Sequence, residues 1–172
     1  AVVNRQGHIQ ARAEAATKAT QGPQAVIQQI HDLVAQVSAS STPADIAGVG
    51  VSSPGPLDTS RGIALDIPTL AGFTNIPFRD MLQDALHLPV ALENDGIAAA
   101  IGEWRFGAGQ GHANVLYVTV STGVGGGVII GNQVLRGRQG LAGHVGHMSF
   151  HLGDEVCACG NRGCFEAYAS GT

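Results

Sequence analysis

A chain of 172 residues, 44% hydrophobic and 13% charged, is long enough to bury a substantial core and corresponds to about one domain. A net charge of -4 without a dense Lys/Arg cluster excludes the electrostatic footprint of a nucleic-acid binder, and no apolar run is long enough to span a bilayer. No basic-then-apolar leader is visible at the start, so the expectation is a cytoplasmic protein with no membrane and no direct nucleic-acid partner.

The chain opens at Ala1-Val2-Val3-Asn4, inside what reads as a strand-and-turn unit, and stops at Ala169-Ser170-Gly171-Thr172 just after a helix begins; a piece of a longer protein is expected. The Ala-rich stretch from Ala11 to Ala19 fits either a helix or a strand with a turn. From Pro23 to Val37 the apolar positions Val26, Ile27, Ile30, Leu33, Val34 and Val37 recur at helical spacing, with Pro23 where a first turn tolerates it. Ile46 to Val51 reads as a short buried strand that delivers the loop Ser52-Ser53-Pro54-Gly55-Pro56. Strand ends of this kind are where α/β proteins place chemistry. A helix around Phe78–Leu86, a strand at Pro89–Leu92 and a small-residue helix from about Gly96 to Phe106 follow, which puts Asn94 and Asp95 at a strand-to-helix junction. Asn114–Ser121 and Gly125–Ile130, joined through Thr122-Gly123-Val124, read as a hairpin.

Three groups carry chemistry. His147, Cys157, Cys159 and Cys164 bring every thiol of the chain together with an imidazole, the donor set of a tetrahedral zinc site. A shell filled by protein leaves no position to activate water, so this zinc would be structural and would shape the loop from His147 to Glu166. His151 is an alternative fourth ligand, and three unconnected core cysteines are the blander reading. In Glu93-Asn94-Asp95, an aspartate at a helix start is by itself an N-cap, while a kinase needs a carboxylate there to take the proton of an acceptor hydroxyl. The turn Ser121 to Gly127 offers backbone amides, at Gly123 and Gly125 among others, and the hydroxyls of Ser121 and Thr122 to a phosphate; it is not a Walker loop, and a hairpin with glycines for tight packing is the alternative. By themselves His144 and His147 also read as packed loop histidines, and Glu166 as a helix-start charge.

Ser-Thr-Gly-Val-Gly-Gly-Gly, Ala-Gly-His-Val-Gly-His and Cys-x-Cys-Gly-x-x-Gly-Cys-x-Glu together resemble the ROK family (repressors, open reading frames and sugar kinases), over nearly the whole chain and most specifically from Leu92 to Gly171. The resemblance implies a two-lobed α/β fold of the actin-like, ribonuclease H-like ATPase type, with sugar and ATP between the lobes. Residues 1–107 would be an incomplete first lobe and residues 108–172 the beginning of the second. It further implies that Asp95 is the general base on the sugar 6-hydroxyl and that Asn94 bonds sugar hydroxyls. His147 would both ligate zinc and touch the sugar, and Glu166 would bond the hydroxyls near C1 and C2. Gly55 would line the sugar site, and Ser121, Thr122, Gly123 and Gly125 would meet the phosphates of ATP, which magnesium accompanies. A homodimer is expected of the full-length protein.

The family's glucokinases usually carry glutamate where this chain has His144, whereas its bacterial N-acetylmannosamine kinases share Ala-Gly-His-x-Gly-His. Histidine donates as well as accepts and removes a charge, so recognition around the sugar C2 substituent is expected to differ. Thr69 stands in a segment where many members place asparagine, and the family's Asp-x-Gly-Gly-Thr phosphate loop is expected to precede Ala1. The expectation is therefore part of an ATP-dependent sugar 6-kinase for an N-acylhexosamine, with N-acetylmannosamine preferred and the isolated fragment inactive. A glucokinase-type hexose kinase and a sugar-sensing transcriptional regulator are the alternatives.

Overall fold

The computed structural model describes residues 1–39, 45–138, 140–150, 153 and 155–171. They form two compact units, Ala1–Asn94 and Asp95–Thr172.

In the first unit, β1 (Val2–Val3) and β2 (Ile9–Ala11) make an antiparallel hairpin. The Ala-rich stretch that follows is neither helix nor strand beyond Ala11. It is held by side-chain hydrogen bonds instead: the Lys18 amide donates to Gln29 Oε1 at 3.0 Å, and Gln29 Nε2 donates to the Ala16 carbonyl at 2.8 Å. Helix α1 (Pro23–Val37) starts at its proline, as expected, and buries Val26 and Ile27. Helix α2 (Phe78–Leu86) buries Phe78 and Leu82 and ends at His87, whose amide donates to the Gln83 carbonyl at 2.8 Å and whose left-handed φ of 54° then turns the chain out of the helix. β3 (Val49–Ser53) pairs in parallel with β7 (Val90–Asn94), and β4 (Leu57–Asp58), β5 (Ile63–Asp66) and β6 (Thr74–Ile76) form an antiparallel meander.

Both parallel strands start and end later in sequence than their apolar runs suggest. Proline cannot donate to a ladder, so Pro89 contributes only its carbonyl, to the Val49 amide at 2.8 Å. Pairing then runs through the polar ends to Ser53 opposite Asn94. The core of this unit closes around Phe73 and Phe78, edge to face with centroids 5.2 Å apart, beside Ile67 and Leu82. Each such side chain contributes about 1.5–3 kcal/mol of burial.

In the second unit, α3 (Asp95–Phe106) packs on the antiparallel sheet of β8 (Val115–Val120), β9 (Val124–Ile130) and β10 (Gln133–Val134). The expected hairpin forms, with Val120 opposite Val124 and the Ser121 amide donating to the Gly123 carbonyl at 2.8 Å. By packing, α3 groups with this hairpin, although the expected lobe division after residue 107 places it with the preceding residues. The cause is small residues: Gly96, Ile97 and Ala100 are the buried face of α3 and meet Gly126 and Gly127 of β9. A 3-10 turn at Val145–His147 and the short helix α4 (Phe165–Ala169) complete the unit. No helix among the described residues is long and apolar enough to cross a membrane.

Candidate functional site

Two of the residues singled out from sequence lie in the first unit. The parallel register sets Ser52 opposite Glu93 and Ser53 opposite Asn94, so the loop after β3 and the end of β7 emerge at one sheet edge. Gly55 and Asn94 meet there: a β-carbon on Gly55 would lie 3.5 Å from Asn94 Nδ2. Ser53 is buried, and its hydroxyl donates to the Pro54 carbonyl at 3.0 Å, which fixes the departure of the loop.

The remaining candidates, Asp95, Ser121, Thr122, Gly123, Gly125, His144, His147, Glu166 and the three cysteines, belong to the second unit. Asp95 opens α3, is exposed, and accepts the Gly96 amide on Oδ1 at 2.8 Å. The bond goes to the next amide and not to the N2 or N3 amide that an N-cap holds, so Asp95 stands as the first helical residue, an acidic group in the first turn. His144 is half-buried. Burial pushes its imidazole below the ordinary value of 6.5; His147 adds to this and Asp95 opposes it. His144 Nε2 is enclosed and has no hydrogen-bond partner among the described residues.

His147, Cys157, Cys159 and Cys164 converge as expected. Their ligand atoms all lie within 4.8 Å of one another, with Cys157 Sγ 3.7 Å from His147 Nδ1 and Cys159 Sγ 3.8 Å from Cys164 Sγ. Tetrahedral zinc, with sulfur at about 2.3 Å and nitrogen at about 2.0–2.1 Å, sets neighbouring ligand atoms about 3.5–3.8 Å apart. The donor set and its spacing therefore fit a four-coordinate metal. The backbone creates this convergence by doubling back. Isolated bridges pair Ser149 with Cys164 and Val156 with Arg162, and the Cys157 amide donates to the Asn161 carbonyl at 2.8 Å. Gly160 and Gly163 turn the chain at φ of 88° and 72°, in the left-handed region that favours glycine. Burial pushes the Cys157 thiol up to about 11, while the Asn161 amide holds the Cys159 thiol below its ordinary value. His151, the alternative ligand, lies outside the described residues.

Glu166 joins this cluster to the glycine-rich turn. Its Oε1 lies 3.6 Å from Cys157 Sγ and 4.0 Å from His147 Nδ1, and its Oε2 accepts the Val124 amide at 2.8 Å. The glycines of the turn divide by role. A β-carbon on Gly126 would come within 2.5 Å of the Tyr117 carbonyl and one on Gly127 within 2.6 Å of Ala100, so both serve close packing, the alternative raised for this turn. A β-carbon on Gly123 would instead meet Glu166 Oε2 at 2.7 Å. Ser121 and Thr122 are exposed at the tip.

Sequence reasoning missed Val124 and Gly171. Both act through backbone amides, Val124 to Glu166 and Gly171 to the Ser121 carbonyl at 2.7 Å, so no side-chain pattern signals them.

Comparison with known proteins finds the family described as ROK family matching residues 1–172. The chain is 39% identical over 145 residues to the xylose repressor of Bacillus subtilis (strain 168), covering 84% of this chain and 37% of the repressor. It is 36% identical over 170 residues to the glucokinase of Streptomyces coelicolor, covering 99% and 52%. The N-acetylmannosamine kinase of Shigella boydii serotype 18 is 39% identical over 171 residues, covering 99% and 57%. Among solved structures, the ROK family glucokinase from Streptomyces griseus in complex with glucose and AMPPNP is similar with a TM-score of 0.83 and 39% identity, covering 98% of this chain and 52% of that one. The chain thus spans between about a third and somewhat over half of the length of the curated relatives it matches. Its mixed α/β architecture is that of sugar kinases with the actin-like ATPase fold, as the motifs implied.

Proposed function

This chain belongs to the ROK family, and on that premise we propose that its protein is an ATP-dependent sugar 6-kinase acting on an N-acylhexosamine, with N-acetylmannosamine the preferred substrate. One observation carries the reading: Asp95 stands exposed at the start of α3, close enough to His144 for its charge to act on that ring, in the compact unit that also holds His147, Glu166 and the glycine-rich turn.

In this mechanism Asp95 accepts the proton of the sugar 6-hydroxyl as that oxygen bonds to the γ-phosphorus of ATP and the bond to the ADP oxygen breaks. Ser121, Thr122 and the amides around Gly123 and Gly125 orient the phosphates, which magnesium accompanies. Asn94, Gly55, His147 and Glu166 orient the sugar, and His144 meets its C2 substituent. His147 can serve both partners, because Nδ1 faces the thiols and leaves Nε2 for a sugar hydroxyl. Zinc, held by His147, Cys157, Cys159 and Cys164, would supply structural cross-linking of the loop.

The test is ADP release by the intact protein with N-acetylmannosamine, N-acetylglucosamine and glucose offered separately. Turnover selective for N-acetylmannosamine and lost in Asp95→Asn is the expected result. Selectivity for glucose would keep the kinase and remove the argument from His144, leaving the glucokinase-type reading. The likeness to the Bacillus subtilis xylose repressor favours a second reading, a sugar-sensing regulator. Sugar binding without ADP release under any of the three conditions would select it.

A further inference from the structure

We infer that Glu166 is a positioning residue that latches the glycine-rich turn to the His147/Cys157/Cys159/Cys164 cluster, so that loading of the cluster sets the order of Ser121–Val124. The inference rests on the proposed reading of the cluster as a metal site and of the turn as a phosphate cradle, and adds a physical link between them.

The link is built at both ends. Val124 is buried, at 4% exposure, so its amide must find a partner within the protein. It finds the Glu166 carboxylate, 42 residues away in sequence, at 2.8 Å. The carboxylate also covers Gly123, where any β-carbon would lie 2.7 Å from Oε2. A second tie comes from the far end of α4, where the Gly171 amide donates to the Ser121 carbonyl at 2.7 Å. The turn is thus held on both flanks by the segment that follows Cys164. At the other end, Glu166 is two residues beyond Cys164, and its Oε1 faces Cys157 Sγ and His147 Nδ1. The Phe165 amide donates to the Met148 carbonyl at 2.9 Å, so α4 starts from the same backbone pairing that assembles the cluster. With the cluster empty, the four ligand side chains are no longer drawn to one centre, the backbone pairing that starts α4 loosens, and the carboxylate is released from Val124. A neutral amide bonded to a carboxylate is among the stronger hydrogen bonds, and breaking it leaves a buried donor unpaired.

Amide hydrogen exchange of the intact protein tests this directly. In Glu166→Ala, exchange over Ser121–Val124 should rise by about tenfold or more while metal content stays that of the parent. Glu166→Gln keeps an oxygen acceptor for the Val124 amide and should retain most of the protection. Chelation should give the parent the same loss, and should add little to Glu166→Ala because the two changes act on one link. Affinity for a non-hydrolysable ATP analogue, measured without sugar, should weaken about tenfold in Glu166→Ala and stay near the parent value in Glu166→Gln. Unchanged protection in fully loaded Glu166→Ala, or in the chelated parent, would overturn the inference. If Glu166→Ala fails to fold, Gly123→Ala, whose methyl displaces the carboxylate, carries the same expectation. A parent that binds no nucleotide would count against the kinase reading, and the exchange arms would still decide the latch.

Discussion

Gly96 of α3 and Gly126 of β9 are in backbone contact: a β-carbon on Gly96 would lie 2.7 Å from both the amide nitrogen and the carbonyl oxygen of Gly126. The residue before Gly96 is Asp95, so this close approach sets where the proposed base stands relative to the glycine-rich strand. Gly96→Ala has no flexible side chain to push aside and must move the helix. A loss of about 1–3 kcal/mol in urea unfolding is expected, together with reduced turnover. Wild-type stability in this variant would mean that α3 is free to shift.

Asp95→Asn preserves the size of the side chain and an oxygen that can accept the Gly96 amide, so the fold should be undisturbed. What it removes is the proton acceptor. Steady-state kinetics should give a kcat lower by about 10²–10⁴, the usual contribution of general base catalysis, with the sugar KM little changed. A KM effect at full kcat would assign Asp95 to sugar binding alone.

Cys159 is exposed, so exchanging it for serine sacrifices little packing. If the four residues hold zinc, Cys159→Ser should lower the metal content measured by atomic absorption, and the melting temperature with it. Chelation should lower the melting temperature of the parent and leave that of the variant nearly unchanged. Equal metal content in parent and variant would show that this thiol is not a ligand.

His144 predicts a pH signature. Burial favours its neutral form, so the folded chain resists a proton that the unfolded chain accepts near pH 6.5. The stability tied to this neutral ring is fully present above the unfolded value and is lost as pH falls from about 6.5 toward the lower folded value. Urea midpoints followed from about pH 8 to 5 should therefore fall less steeply in His144→Gln, which does not titrate. Parallel curves for the two proteins would remove His144 as a source of the acid sensitivity.

Side-chain chemistry was largely legible along the chain. The amphipathic period of α1, the hairpin around Thr122-Gly123-Val124 and the convergence of His147 with three cysteines were all expected, and all form. Strand ends were less legible, because β3 and β7 continue past their apolar residues into Ser53 and Asn94, where the parallel ladder and not hydropathy decides. The glycines from Gly123 to Gly127 looked like one motif and serve two ends, close packing at Gly126 and Gly127 and clearance for a carboxylate at Gly123.

What the sequence determined by itself was the family and the residue types available for chemistry, since donor sets, turn glycines and helical periodicity are properties of the order of side chains. What only the tertiary structure decided was which groups meet. The Glu166 carboxylate reaches a backbone amide 42 residues distant, Gly96 packs against Gly126 of β9, and His144 keeps a ring nitrogen enclosed without a hydrogen-bond partner among the described residues. Every residue except proline carries the same backbone N–H, so no sequence pattern marks the one at Val124 that burial leaves in need of a partner; the fold of the chain selects it.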